Sequence, residues 1–172
     1  TILDVFHEVA ERRPDAVALR HHDGTAWRSL AWSDYQRAVE EVAAGLRTLG
    51  LEPGDRVGIL AANCVEWHVA DLGILAAGLV SVPIYATSSA SQVGYILADA
   101  GCRVCFVEDG HQLAKVLLRR PDVPSLERVV LLRVLEGADD GFVLPLADLR
   151  QAGAGAIAAG APGLCPRLAE LA

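Results

Sequence analysis

The sequence predicts an α/β fold: a mostly parallel, doubly wound sheet with flanking helices, preceded by an N-terminal β-hairpin. Three observations predict it. From residue 56 onward four short apolar runs of strand character alternate with three segments of helical spacing, the order that lays parallel strands beneath crossover helices. Such crossovers are right-handed in nearly every case, which wraps helices over both faces of the sheet. The segment 64–78 is apolar on almost every side apart from Glu66, His68 and Asp71, as a helix pressed between layers must be.

Taken in order, residues 2–12 place Leu3, Phe6, Val9 and Ala10 at helical spacing and stop before Pro14, which predicts a short amphipathic helix. The runs 17–21 and 27–32 flank His22-Asp23-Gly24, and Asp-Gly between extended runs is a hairpin signal. Ser33 followed by Gln36 has the spacing of a capping box. Tyr35, Val39, Val42, Ala43, Leu46 and Leu49 then repeat at helical spacing until Gly50. The turn 51–55 leads to the strand 56–61, and Asn63 with Glu66 offers a cap for the apolar helix that runs to about Gly78. A strand over 79–85 precedes a helix opened by Ser89 and Gln92 and closed by Gly101. A strand over 103–108, a helix begun by Asp109 and Gln112 and ended at Pro121, and a last apolar run over 128–132 complete the pattern. Past Leu135 the signal fades. Residues 1–135 therefore read as one α/β unit, and 136–172 as a loop, a short helix near Leu146 to Gln151 and an Ala/Gly-rich tail.

Composition narrows the function classes. With 172 residues, 52% hydrophobic and 22% charged, the chain can bury one core. A formal net charge of −7 with no basic cluster argues against nucleic acid or an anionic membrane surface as partner. No charge occurs between Asp71 and Asp99, but Pro83 and Thr87-Ser88-Ser89 interrupt that stretch well short of the roughly 20 apolar residues of a spanning helix. The opening run Thr1 to Arg13 is amphipathic and charged, unlike a secretory signal. Four unpatterned cysteines, Cys64, Cys102, Cys105 and Cys165, fit a reduced, cytoplasmic setting.

Several motifs can be weighed. Cys102-Arg103-Val104-Cys105 has C-x-x-C spacing, but three residues of strand span about 10 Å, too far for a disulfide unless the chain turns at Cys102. Gly153-Ala-Gly155-Ala-Ile-Ala158 matches a dinucleotide fingerprint, yet it follows no strand, and a flexible tail is the better reading. Where P-loop spacing from Gly155 and Gly160 requires Lys and Ser/Thr, the chain has Ala161-Pro162. His7-Glu8-x-x-Glu11 falls one imidazole short of a zinc motif. His68 and Asp71 lie one turn apart, an acid/base spacing that is more simply the polar stripe of a buried helix. Tyr85-Ala86-Thr87-Ser88-Ser89 leaves a strand and opens a helix where ligands bind in open α/β sheets. Its amides and hydroxyls suit an anion, although capping by Ser88 and Ser89 is the simpler role.

Four blocks go further: 52–57 (Glu-Pro-Gly-Asp-Arg-Val), 63–67 (Asn-Cys-Val-Glu-Trp), 82–89 (Val-Pro-Ile-Tyr-Ala-Thr-Ser-Ser) and 95–100 (Tyr-Ile-Leu-Ala-Asp-Ala). In order and interval they resemble the opening of the adenylate-forming (AMP-dependent) synthetase/ligase superfamily over residues 1–135, and the third most resembles bacterial long-chain fatty acid–CoA ligases. The resemblance implies a partial N-terminal domain of an acyl-CoA synthetase. The parent enzyme would join a fatty acid to ATP, lose pyrophosphate, and pass the acyl group from the acyl-adenylate to CoA, with Mg²⁺ offsetting charge. The family's phosphate loop with its lysine, its acidic metal site and its mobile-domain lysine are expected beyond Ala172. No catalytic, cofactor-binding or metal-binding residue is therefore assigned here, and Lys115, the only lysine, sits on an ordinary helix. The chain alone is expected to be inactive, to hold no ATP, Mg²⁺ or CoA, and to self-associate through an exposed sheet edge or apolar face. The alternatives are a complete, non-catalytic α/β module that binds a nucleotide or a protein, and a scaffold-only relative.

Overall fold

A computed structural model describes residues 1–133 and 141–161. Helix α1 (Ile2–Arg12) is opened by a Thr1/Asp4 capping box and buries Phe6 and Ala10. Strands β1 (Val17–His22) and β2 (Trp27–Ala31) pair antiparallel as a separate two-stranded sheet. In their turn Asp23 Oδ1 accepts from the amides of Thr25 and Ala26, both at 2.8 Å, while Gly24 takes φ 99°, a region glycine enters without a Cβ penalty.

Helix α2 (Trp32–Thr48) begins differently from its sequence signature. Its N-cap is Ala31, with no side-chain cap. The first amides are taken by the preceding chain instead: Trp32 N donates to the Ala16 carbonyl at 3.0 Å and Ser33 N to the Pro14 carbonyl at 2.9 Å. Gln36, left without that role, donates to Glu40 Oε1. The connection between α1 and β1 thus supplies the acceptors for these first amides in place of a side-chain cap.

The main sheet holds five strands in the order β4-β3-β5-β6-β7, every pair parallel. They are β3 (Arg56–Leu60), β4 (Val80–Ile84), β5 (Val104–Val107), β6 (Arg128–Leu131) and β7 (Val143–Pro145). Between them run α3 (Val65–Ala76), α4 (Ala90–Ala100) and α5 (Gly110–Arg119), the last followed by a 3₁₀ turn over Arg120–Asp122 that absorbs Pro121. Side chains alternate across the sheet as the period of two requires. Val57, Ile59, Val104, Phe106 and Val130 join the core beneath α1, α2, α3 and helix α6 (Leu146–Ala158). Leu60, Cys105, Val107, Val129 and Leu131 join a second core beneath α4 and α5. Helices on both faces of a parallel sheet make the doubly wound fold that the sequence predicts.

Two differences lie after residue 135. The run at 128–132 is not the last strand, because β7 continues the sheet beside β6. With three residues ending in Pro145 it is too short to carry a pattern, and an edge is where proline is tolerated. Helix α6 runs through the Gly/Ala tract to Ala158 rather than stopping near Gln151. It is long because it packs along α2: Gly153 and Gly45 let the two backbones approach, and a Cβ on Gly45 would meet the Leu149 carbonyl oxygen at 2.4 Å. Most of the polar loop predicted at 136–141, Cys165, and the tail beyond Ala161 fall outside the described residues. Among the described residues no helix is long and apolar enough to cross a membrane.

Candidate functional site

Strand order locates the functional end of the sheet. From β3 the chain passes through α3 to β4 on one side, whereas from β5 it passes through α5 to β6 on the other. The carboxyl ends of β3 and β5 therefore flank a topological switch point, where ligands bind in open α/β sheets.

A buried carboxylate fastens that point. Glu108, directly after β5, is 8% exposed. Its Oε2 accepts from the amide of Ala62, which follows β3, at 2.8 Å, and its Oε1 lies 2.9 Å from the guanidinium of Arg133. A buried carboxylate is costly unless donors surround it, and here one amide and one cation do so. Nearby, Cys64 is the N-cap of α3 without a side-chain cap bond, so Asn63 stands one residue outside the cap that its sequence suggested. Burial raises the Cys64 thiol to about 11, and a thiol of that acidity is a poor nucleophile near neutrality.

Beside the switch point runs the segment 85–89. Ser89 caps α4 in a complete capping box with Gln92, accepting from the Gln92 amide at 3.3 Å while Gln92 Oε1 accepts from the Ser89 amide at 2.9 Å. The simpler reading of Ser89 therefore holds. Sequence reasoning missed what grips the rest. Lys115 Nζ donates to the carbonyls of Ala86 and Ser88, each at 2.9 Å, and Gln112 Nε2 donates to Ala86 at 3.1 Å. The available signal was Gln112 and Lys115 standing three apart on one face of α5. Lys115 is thus no ordinary surface lysine.

The remaining motifs separate. Asp71 accepts from the Ser81 hydroxyl at 2.6 Å, so its partner is β4 rather than His68, which stacks edge-on against Trp67. Burial, with Asp71 nearby, raises Tyr35 to about 12. Glu8 pairs with Arg12 on an exposed face of α1. Cys102 and Cys105 are free thiols within one apolar layer, and burial raises Cys102 to about 11 and Cys105 further. Gly153 to Ala158 lies inside a helix and not at a strand-to-helix turn. On the other face of the sheet a cavity of about 270 Å³ opens between α2 and the N-termini of α3 and α6. Each arginine on its wall has a carboxylate partner, Arg37 with Asp34 and Arg150 with Glu41.

Those engagements decide how the described residues fit a nucleotide. A triphosphate wants free amides, a free lysine or arginine and a metal-binding carboxylate. Here Lys115 is committed to two carbonyls, Glu108 to Arg133 and Ala62, and the glycines of α6 to packing. These residues do not fit the group, and no chemical step through ATP or Mg²⁺ follows from them.

Comparison with known proteins agrees with the architecture. The family described as AMP-binding enzyme matches residues 6–151. The chain is 38% identical over 149 residues to the long-chain-fatty-acid–CoA ligase heimdall of Drosophila melanogaster, covering 83% of this chain and 21% of that protein. It is 41% identical over 122 residues to the long-chain-fatty-acid–CoA ligase ACSBG2 of Mus musculus, covering 71% and 18%. Among solved structures, acetoacetyl-CoA synthetase from Streptomyces lividans superposes with a TM-score of 0.77 at 28% identity, over 86% of this chain and 24% of that one. The chain spans about a fifth of the length of these two ligases. Since the family match covers most of the chain and takes in all five strands of the parallel sheet, the chain belongs to the AMP-binding enzyme family.

Proposed function

We propose that this chain is the N-terminal portion of an ATP-dependent long-chain fatty acid–CoA ligase, which converts fatty acid, ATP and CoA into acyl-CoA, AMP and pyrophosphate through an acyl-adenylate. The observation that carries the reading is identity of 38% and 41% to proteins named as such ligases, over 83% and 71% of the chain. Chemistry gives the order of steps. A fatty carboxylate is a poor electrophile, and adenylation replaces its oxyanion by a leaving group that a thiol can displace. Mg²⁺ would offset charge on the phosphates.

In this reading the chain's own contribution is architectural. It holds the carboxyl edge of the sheet in register through Glu108 and fixes the 85–88 segment through Lys115, while the phosphate donors, the metal ligands and the acyl pocket come from elsewhere in the parent. The setting is cytoplasmic, and the 172-residue chain alone neither ligates nor grips ATP.

The test assays two preparations. Isothermal titration of the 172-residue chain with Mg-ATP is expected to give no micromolar binding, and such binding would defeat the non-catalytic assignment. A longer polypeptide containing the chain is expected to form AMP only when fatty acid and CoA are both supplied. Turnover with short carboxylates but none with long-chain acids would defeat the substrate class.

A further inference from the structure

The segment from Tyr85 to Ser88 is held in an unusual way. It leaves an edge strand, it is not paired to another strand, and its own turn is closed by one backbone bond, Ser88 N to the Tyr85 carbonyl at 2.9 Å. Its other restraints come from helix α5, through bonds that span 26 to 29 residues of chain. A single ammonium, Lys115 Nζ, reaches both the Ala86 and Ser88 carbonyls, and Gln112 Nε2 reaches Ala86. Lys115 is the only lysine of the chain, so nothing nearby of the same kind can substitute for it.

A second observation points the same way. Gln112 is 6% exposed, and its Oε1 is buried without a partner. The Ala86 carbonyl requires the amide nitrogen on its side, so the oxygen must be the atom left over. A buried acceptor without a donor disfavours the arrangement that creates it. The held position of the segment therefore satisfies Lys115 and the Gln112 amide nitrogen but leaves the Gln112 oxygen without a donor.

We propose that residues 85–88 are a strap with a held and a released position, and that Lys115 is its latch. In the held position the strap covers Gln112 and presents Tyr85, 85% exposed, at the carboxyl edge of the sheet. On release the Ala86 and Ser88 carbonyls pass to water, and the Gln112 amide is uncovered so that its oxygen gains a donor. The opening is local, since the strap has no partner in the sheet and β3, β5 and β6 are paired on both sides. The inference does not depend on the ligase reading.

Amide hydrogen exchange on the 172-residue chain tests it. In the native protein the Ser88 amide is expected to exchange before the amides of β3 and β5, as a locally opening segment does. In Lys115→Ala its exchange is expected to rise about tenfold or more while β3 and β5 keep their native rates. Lys115→Arg, whose guanidinium can also span two carbonyls, is expected to restore protection. Unchanged Ser88 exchange in Lys115→Ala overturns the latch, as does acceleration in step with the sheet, which marks global destabilisation. A second measurement needs no variant: acetic anhydride should label Lys115 in the native chain about tenfold more slowly than after denaturation in urea. Equal rates overturn the proposal.

Discussion

The Cα of Gly153 in α6 lies so near the Glu41 carbonyl oxygen of α2 that a Cβ built on it would stand 1.9 Å from that oxygen and 2.7 Å from Gly45 N. Two helices meet there through backbone alone. On the other flank of α2 a Cβ on Gly73 of α3 would stand 2.5 Å from Val42 Cγ1. Helix α2 is thus clasped from both sides at positions where only hydrogen fits.

Gly153→Ala is expected to destabilise the chain by about 1–3 kcal/mol, the cost of overpacking a contact that cannot widen without separating two helices. Gly155→Ala, two residues on in the same helix with nothing within 4 Å of its added Cβ, is expected to stabilise by about 0.5–1 kcal/mol through helix propensity. Urea unfolding of both variants checks the pair. A similar midpoint for the two would show that α6 does not pack on α2 in solution.

The amino end of the sheet is tied by Arg103, whose guanidinium donates to Asp55, to Glu127 and to the Gly50 carbonyl. The Glu52 amide, and then Arg103, hold Asp55 below the usual carboxylate range, and Arg103 is the main cause of the lowered Glu127. Because both folded-state values are depressed, their contribution is complete above the unfolded values near 4 and is lost as pH falls through the lower folded values. Thermal unfolding should therefore show stability falling below about pH 4. In Arg103→Gln that slope should flatten, with a loss at neutral pH of about 1–2 kcal/mol. An unchanged acid slope would assign the effect to other carboxylates.

Much of this fold was legible because burial on both faces leaves short apolar runs. β3, β5 and β6 read directly for that reason, and the Ser89/Gln92 box and the Asp109 cap mark helix starts by local chemistry alone. What escaped was fixed by distant partners or by missing atoms. Ser33 lost its cap role to carbonyls of Pro14 and Ala16, which sequence spacing cannot place. α6 looked like a tail because its contact with α2 is made by Gly153, and glycine carries no hydrophobic signal. At the candidate site the strand-to-helix segment 85–89 was legible, whereas the grip of Lys115 on Ala86, 29 residues away, was not.

Burial should also silence the cysteines. Cys64 and Cys102 are raised to about 11 by burial, and Cys105 is fully enclosed. At pH 8 a thiol of that acidity is about one part in a thousand thiolate. In a Cys165→Ser background, Ellman's reagent is expected to react about a hundredfold more slowly with the native chain than with the urea-unfolded one. Fast reaction of one thiol without urea would show that the layer beneath α4 and α5, or the cap of α3, opens readily.

The last expectation concerns how β3 and β5 are held at the switch point. Glu108 receives one bond from the Ala62 amide and one ion pair from Arg133, and the two partners differ in exposure, with the carboxylate side chain at 10% and the arginine at 60%. Removing the arginine leaves an ionised group buried with a single donor, which costs more than the exposed half of the pair suggests. Arg133→Ala should therefore lose about 1–3 kcal/mol at neutral pH. Glu108→Gln keeps an acceptor for Ala62 without a charge to neutralise, so Arg133→Ala made in that background should cost much less. The coupling in the double-mutant cycle is then the measure of the buried pair. Additive losses would mean that Arg133 contributes only surface packing, and that the Ala62 amide and the backbone bond from Glu108 N to the Leu60 carbonyl fasten the two strand ends without it.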